Sequence, residues 1–326
     1  MLNKKNYVHL SLVLIVSLFI AFSVQAAEKP EGYPDRPIEV VVQYGAGGGS
    51  DIFVRNLMMP ARGILKTAIN ITNMTGAAGV KASKYVLSQP ADGYTIYNFS
   101  PEQLINTAFG RENYKEEFAP LVQVQQDMSM FYVNPKAEYQ TVQELIAYAK
   151  KNPGKVQFTG TTPASPDELI IMRFAKAAGI DIKYIPFDKA PKTHAAVLGG
   201  HLDVLHEEPG SVMSLIEAKK LIPIIVFNDK RLEKFPEVPC SVELGYNLTT
   251  GRWRGLAVKK GTPQPIIDYL AASLKTAYEK SSYQNYAKES LLDQRYGWKD
   301  PAEFGKFWDE EYESVKVVLK ELGYIK

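Results

Sequence analysis

Two stretches of this chain put hydrogen-bond donors where main chain and hydroxyls could hold an anion. The apolar run Ile38 to Tyr44 reads as a strand, and it leads directly into Gly45-Ala46-Gly47-Gly48-Gly49-Ser50-Asp51, with a helix opening at Ser50 or Asp51. Glycine lets backbone N–H groups approach a ligand closely, and a helix N-terminus favours negative charge. Ser50 adds a side-chain donor. Asp51 fits better as a group that orients the helix start, because a second negative group would repel the ligand. Nucleotide readings fail on the residues: a dinucleotide fingerprint needs glycine where Ser50 stands, and a P-loop needs a Gly-Lys-Ser/Thr ending. The second stretch, Thr159-Gly160-Thr161-Thr162-Pro163-Ala164-Ser165, also sets amides and hydroxyls ahead of a helix. Taken alone, Ser165 serves equally well as a plain N-cap.

Other candidates lie at strand ends and in one charged segment. Ser100, Pro101 and Glu102 follow the strand Tyr94–Phe99, where open α/β sheets place ligand loops. Arg252 and Arg254 flank Trp253 and would share a face in an extended segment, ready to pair with a carboxylate or with a structural acid. Catalytic patterns are lacking. His206-Glu207 has no second histidine at zincin spacing, no Gly-x-Ser-x-Gly elbow occurs, and Glu207 and Glu208 would point opposite ways on a strand. Cys240 is the only cysteine. It reads as a buried structural thiol, and no intramolecular disulfide can form.

The elements that must position these groups alternate between strand and helix, the pattern of an α/β protein with largely parallel sheets. Strands are predicted at Ile38–Tyr44, Tyr94–Phe99, Met130–Val133, Val156–Thr159, Asp203–His206 and Ile222–Phe227. Capping boxes at Thr141…Glu144, Ser165…Glu168 and Asp300…Glu303 predict helix starts, and Thr262-Pro263 predicts another. Phe304, Trp308, Val315, Val318 and Leu322 form a stripe suited to core packing.

The N-terminus reads as a cleaved leader. Lys4 and Lys5 precede an uncharged, mainly apolar run from Leu10 to Phe22, and Val24-Gln25-Ala26 supplies a cleavage site after Ala26. Residues 1–26 are thus assigned as a signal peptide. Its loss takes the net charge from +2 to about zero, which gives no general attraction to nucleic acid or membrane.

Taken together, the segments resemble the Bug family, the substrate-binding proteins of tripartite tricarboxylate transporters. The resemblance is carried, in order, by Tyr33-Pro34-Asp35-Arg36-Pro37-Ile38, the Gly45–Asp51 loop with Ile52 and Arg55, Thr75-Gly76-Ala77-Ala78-Gly79 and Ala91-Asp92-Gly93-Tyr94-Thr95. It continues through Asn152-Pro153-Gly154-Lys155, Leu198-Gly199-Gly200-His201-Leu202-Asp203, Val238-Pro239, Trp253-Arg254-Gly255 and Lys260-Gly261-Thr262-Pro263. It implies a two-lobed periplasmic-binding-protein fold, type II-like, with two chain crossovers and the ligand in the cleft. Lobe one would comprise residues 33–124 plus 255–326, and lobe two residues 125–254.

The resemblance also implies a monomeric periplasmic protein that captures a small organic carboxylate, aliphatic or aromatic, for a transporter of one large and one small integral subunit. It implies no cofactor, no metal and no catalytic residue. The implied ligand contacts are Tyr44, Gly45, Ala46, Gly47, Gly48, Gly49, Ser50, Ser100, Thr161, Thr162, Ser165 and Arg254, the last preferred over Arg252 because it lies within the matching motif. Phe187-Asp188-Lys189 and His206-Glu207-Glu208-Pro209 depart from the family pattern. Acids at Asp188 and Glu207 suit an ammonium or hydroxyl group on the ligand, an internal ion pair, or solvent. A ligand-sensing module for a signalling receptor and a secreted hydrolase stand as alternative readings.

Overall fold

The computed structural model describes residues 28–249 and 251–326; the leader expected over residues 1–26 lies outside the described residues. Ten strands form two five-stranded sheets. The first contains β1 (Ile38–Val42), β2 (Ile69–Asn73), β3 (Thr95–Phe99), β4 (Phe118–Gln126) and β10 (Trp253–Lys259), in the order β2-β1-β3-β10-β4. The second contains β5 (Met130–Val133), β6 (Gln157–Thr161), β7 (Lys183–Phe187), β8 (Val204–Glu207) and β9 (Ile222–Val226), in the order β7-β6-β8-β5-β9.

The sheets are mixed rather than largely parallel. β1 pairs parallel with β2 and β3, and β6 pairs parallel with β7 and β8. β10, however, runs antiparallel between β3 and β4, and β5 antiparallel between β8 and β9. The reason is connectivity: β5 and β10 are the strands that arrive from the other sheet. The chain passes from β4 to β5 through Asp127–Ser129 and returns into β10 through Gly251–Arg252. The two passages touch, since Asp127 N donates to Arg252 O at 2.7 Å.

Helices cover the sheets by burying one face each. In the helix Gly49–Leu65, Phe53, Val54, Leu57, Met58, Ala61 and Leu65 are buried, and they share a core with Leu270 and Leu274 of the helix Gln264–Tyr278. The predicted stripe on the helix Pro301–Glu321 divides its work. Phe304 and Trp308 pack on Phe99 and Trp253 of the first sheet, with Phe99 and Trp308 ring centroids 4.0 Å apart. Val315, Val318 and Leu319 instead pack on Leu169 of the helix Pro166–Ala178, which belongs to the second sheet's side. Tyr324 Oη adds a 2.6 Å hydrogen bond to Glu168. The C-terminal helix therefore braces both lobes.

Caps at Thr141 and Asp300 are complete boxes. The one at Ser165 is half of one: Ser165 Oγ accepts from Glu168 N, but the Glu168 carboxylate accepts from Ala164 N at 2.6 Å. Cys240 is buried, as its sequence context implied.

One buried acid outside the cleft yields a testable pH dependence. Both Glu112 carboxylate oxygens are shielded and lack hydrogen-bond partners. Burial pushes the carboxyl up to about 7, and the charge of Glu117 adds to the shift. A folded pKa above the unfolded one supplies stability below about pH 4.3 that is lost as pH rises to about 7. Glu112→Gln is therefore expected to raise stability at pH 8, by on the order of 3 kcal/mol at most, and the melting temperature with it. The gap should close near pH 4, and a gap independent of pH in thermal melts contradicts the account.

Candidate functional site

The C-terminal ends of parallel strands from both sheets face one another, the place where open α/β sheets bind ligands. β1 delivers Tyr44 to Gly48 and the start of the helix Gly49–Leu65. β6 delivers Thr161 and the start of the helix Pro166–Ala178. β8 delivers Glu207 and Glu208 ahead of the helix Pro209–Glu217, and β10 begins at the Arg252–Arg254 segment. Tyr44, Gly45, Gly48, Gly49, Ser50, Thr161, Asp167, Asp188, Lys189, Glu207, Glu208, Arg252 and Arg254 line a single cavity of about 30 Å³. That volume suits a water or two, so the two walls are nearly in contact.

What fills the space between the walls is an ion-pair network. Arg252 and Arg254 are 5% and 3% exposed. Arg252 reaches Glu102 at 3.1 Å, Asp167 at 2.6 Å and Glu208 at 3.3 Å. Arg254 contacts Asp127, reaches Glu208 at 2.9 Å, and donates from Nε to Ser50 Oγ at 3.2 Å. Thr161 N and Oγ1 both donate to Asp167 Oδ2, and His206 Nδ1 lies 3.4 Å from Asp167 Oδ1. His194 Nε2 lies 2.8 Å from Glu207. Burial alone would raise the Asp167 carboxyl, but the charges of Arg252 and His206 outweigh it and hold the group well below the carboxylate range. Burial and the charge of Glu207 push Glu208 the other way, well above its ordinary value.

The expected site residues divide into three groups. Tyr44, Gly45, Gly48, Gly49, Ser50, Thr161, Asp188, Glu207 and Arg254 meet at the cavity. Ala46 and Gly47 are exposed at the outer side of the same loop, where Gly47 N donates to Asp51, so Asp51 does orient the helix start. Ser100, Thr162 and Ser165 do not line the cavity. Ser100 caps the helix Pro101–Ala108 and donates to Glu102 at 2.6 Å, and Ser165 donates to Thr161 O. Thr162 Oγ1 is shielded without a partner beside them.

Asp188 is exposed and pairs with Lys192 at 2.8 Å. The expectation that Glu207 and Glu208 diverge is corrected: β8 ends at Glu207, Glu208 turns into the next helix as its N-cap, and both carboxylates face the cavity. Sequence reasoning placed Glu102 in a candidate ligand loop without foreseeing its ion pair, missed Asp127 and Asp167, and ranked Arg252 below Arg254. Only the 252/254 alternation signalled that both arginines share the face.

Glycine at position 49 is required by this network. A Cβ there would stand 2.5 Å from Arg254 Nη2 and 3.2 Å from Glu208 Oε2, so a side chain displaces both from their pairing. Gly49→Val is expected to weaken ligand binding at least tenfold and to enlarge the radius of gyration in small-angle scattering. An unchanged radius and affinity would rule out the close approach.

Two α/β lobes joined by paired crossings, with facing strand ends around a polar cavity, define a two-lobed solute-binding protein. The chain belongs to the tripartite tricarboxylate transporter family of periplasmic receptors, whose model matches residues 53–324. It is 27% identical over 321 residues to the UPF0065 protein in the gbd 5' region of Cupriavidus necator, covering 93% of each chain. A TctC solute-binding protein from Polaromonas is 25% identical with a TM-score of 0.66, covering 89% of this chain and 99% of that one. MatC from Rhodopseudomonas palustris, solved with bound malate, is 20% identical with a TM-score of 0.79, covering 88% of this chain and all (100%) of that one. Among the described residues no helix is long and apolar enough to cross a membrane.

Proposed function

We propose that this protein captures a small organic carboxylate between its lobes and hands it to the large and small integral subunits of a tripartite transporter. It acts as a monomer after cleavage following Ala26, with lobes at residues 33–124 plus 255–326 and 125–254. The observation that carries the reading is the convergence of unlike donors on one cavity wall. The Gly45–Ser50 loop opens a helix there, Ser50 Oγ and Arg254 lie together, and the Tyr44 hydroxyl is shielded without a hydrogen-bond partner. Burial and the negative charge of Glu102 raise the Tyr44 phenol well above its usual value, so it stays protonated and able to donate. Helix N-terminus, hydroxyl and guanidinium are together a carboxylate-binding set. The malate bound by MatC supports the class of ligand without naming this one.

A thermal-shift screen of residues 27–326 against carboxylic acids tests the reading. A ligand at a hundred times its dissociation constant adds about 2.7 kcal/mol, a shift of a few degrees for a chain of this length. A carboxylate that raises the melting temperature and is recovered unchanged supports it. A panel in which acids do nothing and other solutes shift the melt overturns it.

A further inference from the structure

The cleft holds more acid than base. Glu102, Asp127, Asp167, Glu207 and Glu208 are buried around it, against the guanidiniums of Arg252 and Arg254. Five carboxyl groups thus face two guanidiniums, and His194 and His206, each set against one of those acids, do not bring the numbers level. Asp188, Lys189 and Lys192 at the mouth are exposed, where water screens them. A site for dianions or trianions should have the opposite sign, because like charges inside a low-dielectric cleft repel strongly.

Glu208 sharpens the argument. Its two oxygens lie 3.3 Å from Arg252 Nε and 2.9 Å from Arg254 Nη2, so it occupies the face of both arginines that an incoming carboxylate would seek. Its backbone N–H donates to Glu207 Oε1 at 3.1 Å, which sets the two carboxylates side by side. A dianion taking Arg254 would strip Glu208 of its shorter ion pair and leave it buried beside Glu207 with only Arg252, at 3.3 Å and shared with Glu102 and Asp167, a costly arrangement. A ligand that brings one carboxylate and one positive charge makes a neutral exchange: the carboxylate takes Arg254 and the positive group takes the released glutamate. On the opposite wall, the unpaired Tyr44 hydroxyl stands ready for the carboxylate end.

We propose that the ligand is zwitterionic, a small carboxylic acid bearing an ammonium or similar cationic nitrogen. Its carboxylate is held at the Gly45–Ser50 helix start with Arg254, and its cation between Glu207 and Glu208. The proposal rests on the carboxylate reading above and narrows it.

The test compares ligands of matched length on the mature protein by thermal shift and calorimetry: glutarate and succinate as dianions, 4-aminobutanoate and β-alanine as zwitterions, and 1,4-diaminobutane as a dication. At least one zwitterion is expected to bind ten times or more tightly than either plain dianion. Glu207→Gln is expected to cut zwitterion affinity at least tenfold while leaving dianion affinity equal or improved. Dianions that bind more tightly than every zwitterion overturn this proposal and leave the carboxylate reading standing. Binding of the diamine alone overturns both. Silence across the whole panel also overturns the zwitterion assignment. Should Glu207→Gln fail to fold, the wild-type comparison decides.

Discussion

Replacing Arg254 with alanine is expected to cost about 3–5 kcal/mol of stability at neutral pH, the usual penalty for removing one partner of a buried ion pair. The loss of attraction is the smaller part. Asp127 and Glu208 lose a buried counter-charge together, and each of those side chains is under a tenth exposed. In a chain of this length the melting temperature should fall on the order of 10 °C. The cause can be separated from lost packing by pH. As the stranded carboxylates take up protons at acid pH, the deficit relative to the parent should shrink. Arg254→Met combined with Glu208→Gln should recover part of the loss at neutral pH, because one uncompensated charge is gone. An Arg254→Ala protein that melts within a degree or two of the parent at neutral pH would show the network to be incidental.

Gly251→Ala is the second large effect expected. Here the obstacle is backbone against backbone: a Cβ at this position would stand 1.9 Å from the Asp127 carbonyl oxygen and 2.9 Å from its carbon. No rotamer relieves such a clash, so the two crossing passages must separate. Overpacking commonly costs about 1–3 kcal/mol, and this site adds the strained Asp127 N to Arg252 O hydrogen bond and the aim of both arginines. Ligand affinity should fall at least tenfold together with stability. Gly63→Ala gives the control. Gly63 lies inside the helix Gly49–Leu65, nothing approaches its missing Cβ, and the change is expected to stabilise by about 0.5–1 kcal/mol. Equal behaviour of the two variants in chemical denaturation would refute the steric account.

Local chemistry explains which parts of this molecule could be read beforehand. Met130–Val133 was legible to the residue because Met-Phe-Tyr-Val is a short apolar run with turn residues on both sides. The capping boxes at Thr141 and Asp300 were legible because each needs only four consecutive residues. β2, β4, β7 and β10 were not predicted. Ile-Asn-Ile-Thr-Asn and Lys-Tyr-Ile-Pro-Phe are edge strands with mixed polarity, and β4 carries a proline and three glutamines. Such residues take strand form only because neighbours pair with them, a tertiary effect that overrides local preference.

The site divides the same way. The glycine loop and Thr161 announce themselves by composition. Glu102, Asp127 and Asp167 come from three separated segments and matter only because the fold gathers them on Arg252 and Arg254. Asp167 in particular reads locally as an acid in the first turn of a helix, favourable there for its own reasons. Ser100 and Ser165 illustrate the converse: their cap chemistry was legible, and in the fold the cap is what their hydroxyls serve.

The place of β10 has a bearing on the order in which the chain can be assembled. Every strand of the second sheet lies in one continuous stretch, from Met130 to Val226, whereas the first sheet needs Trp253–Lys259 between β3 and β4. A chain made and exported from its N-terminus can complete the later-encoded sheet while the earlier one still stands in two pieces. Since Arg252 and Arg254 arrive with that same last strand, the binding cleft and the first sheet are finished by a single docking event.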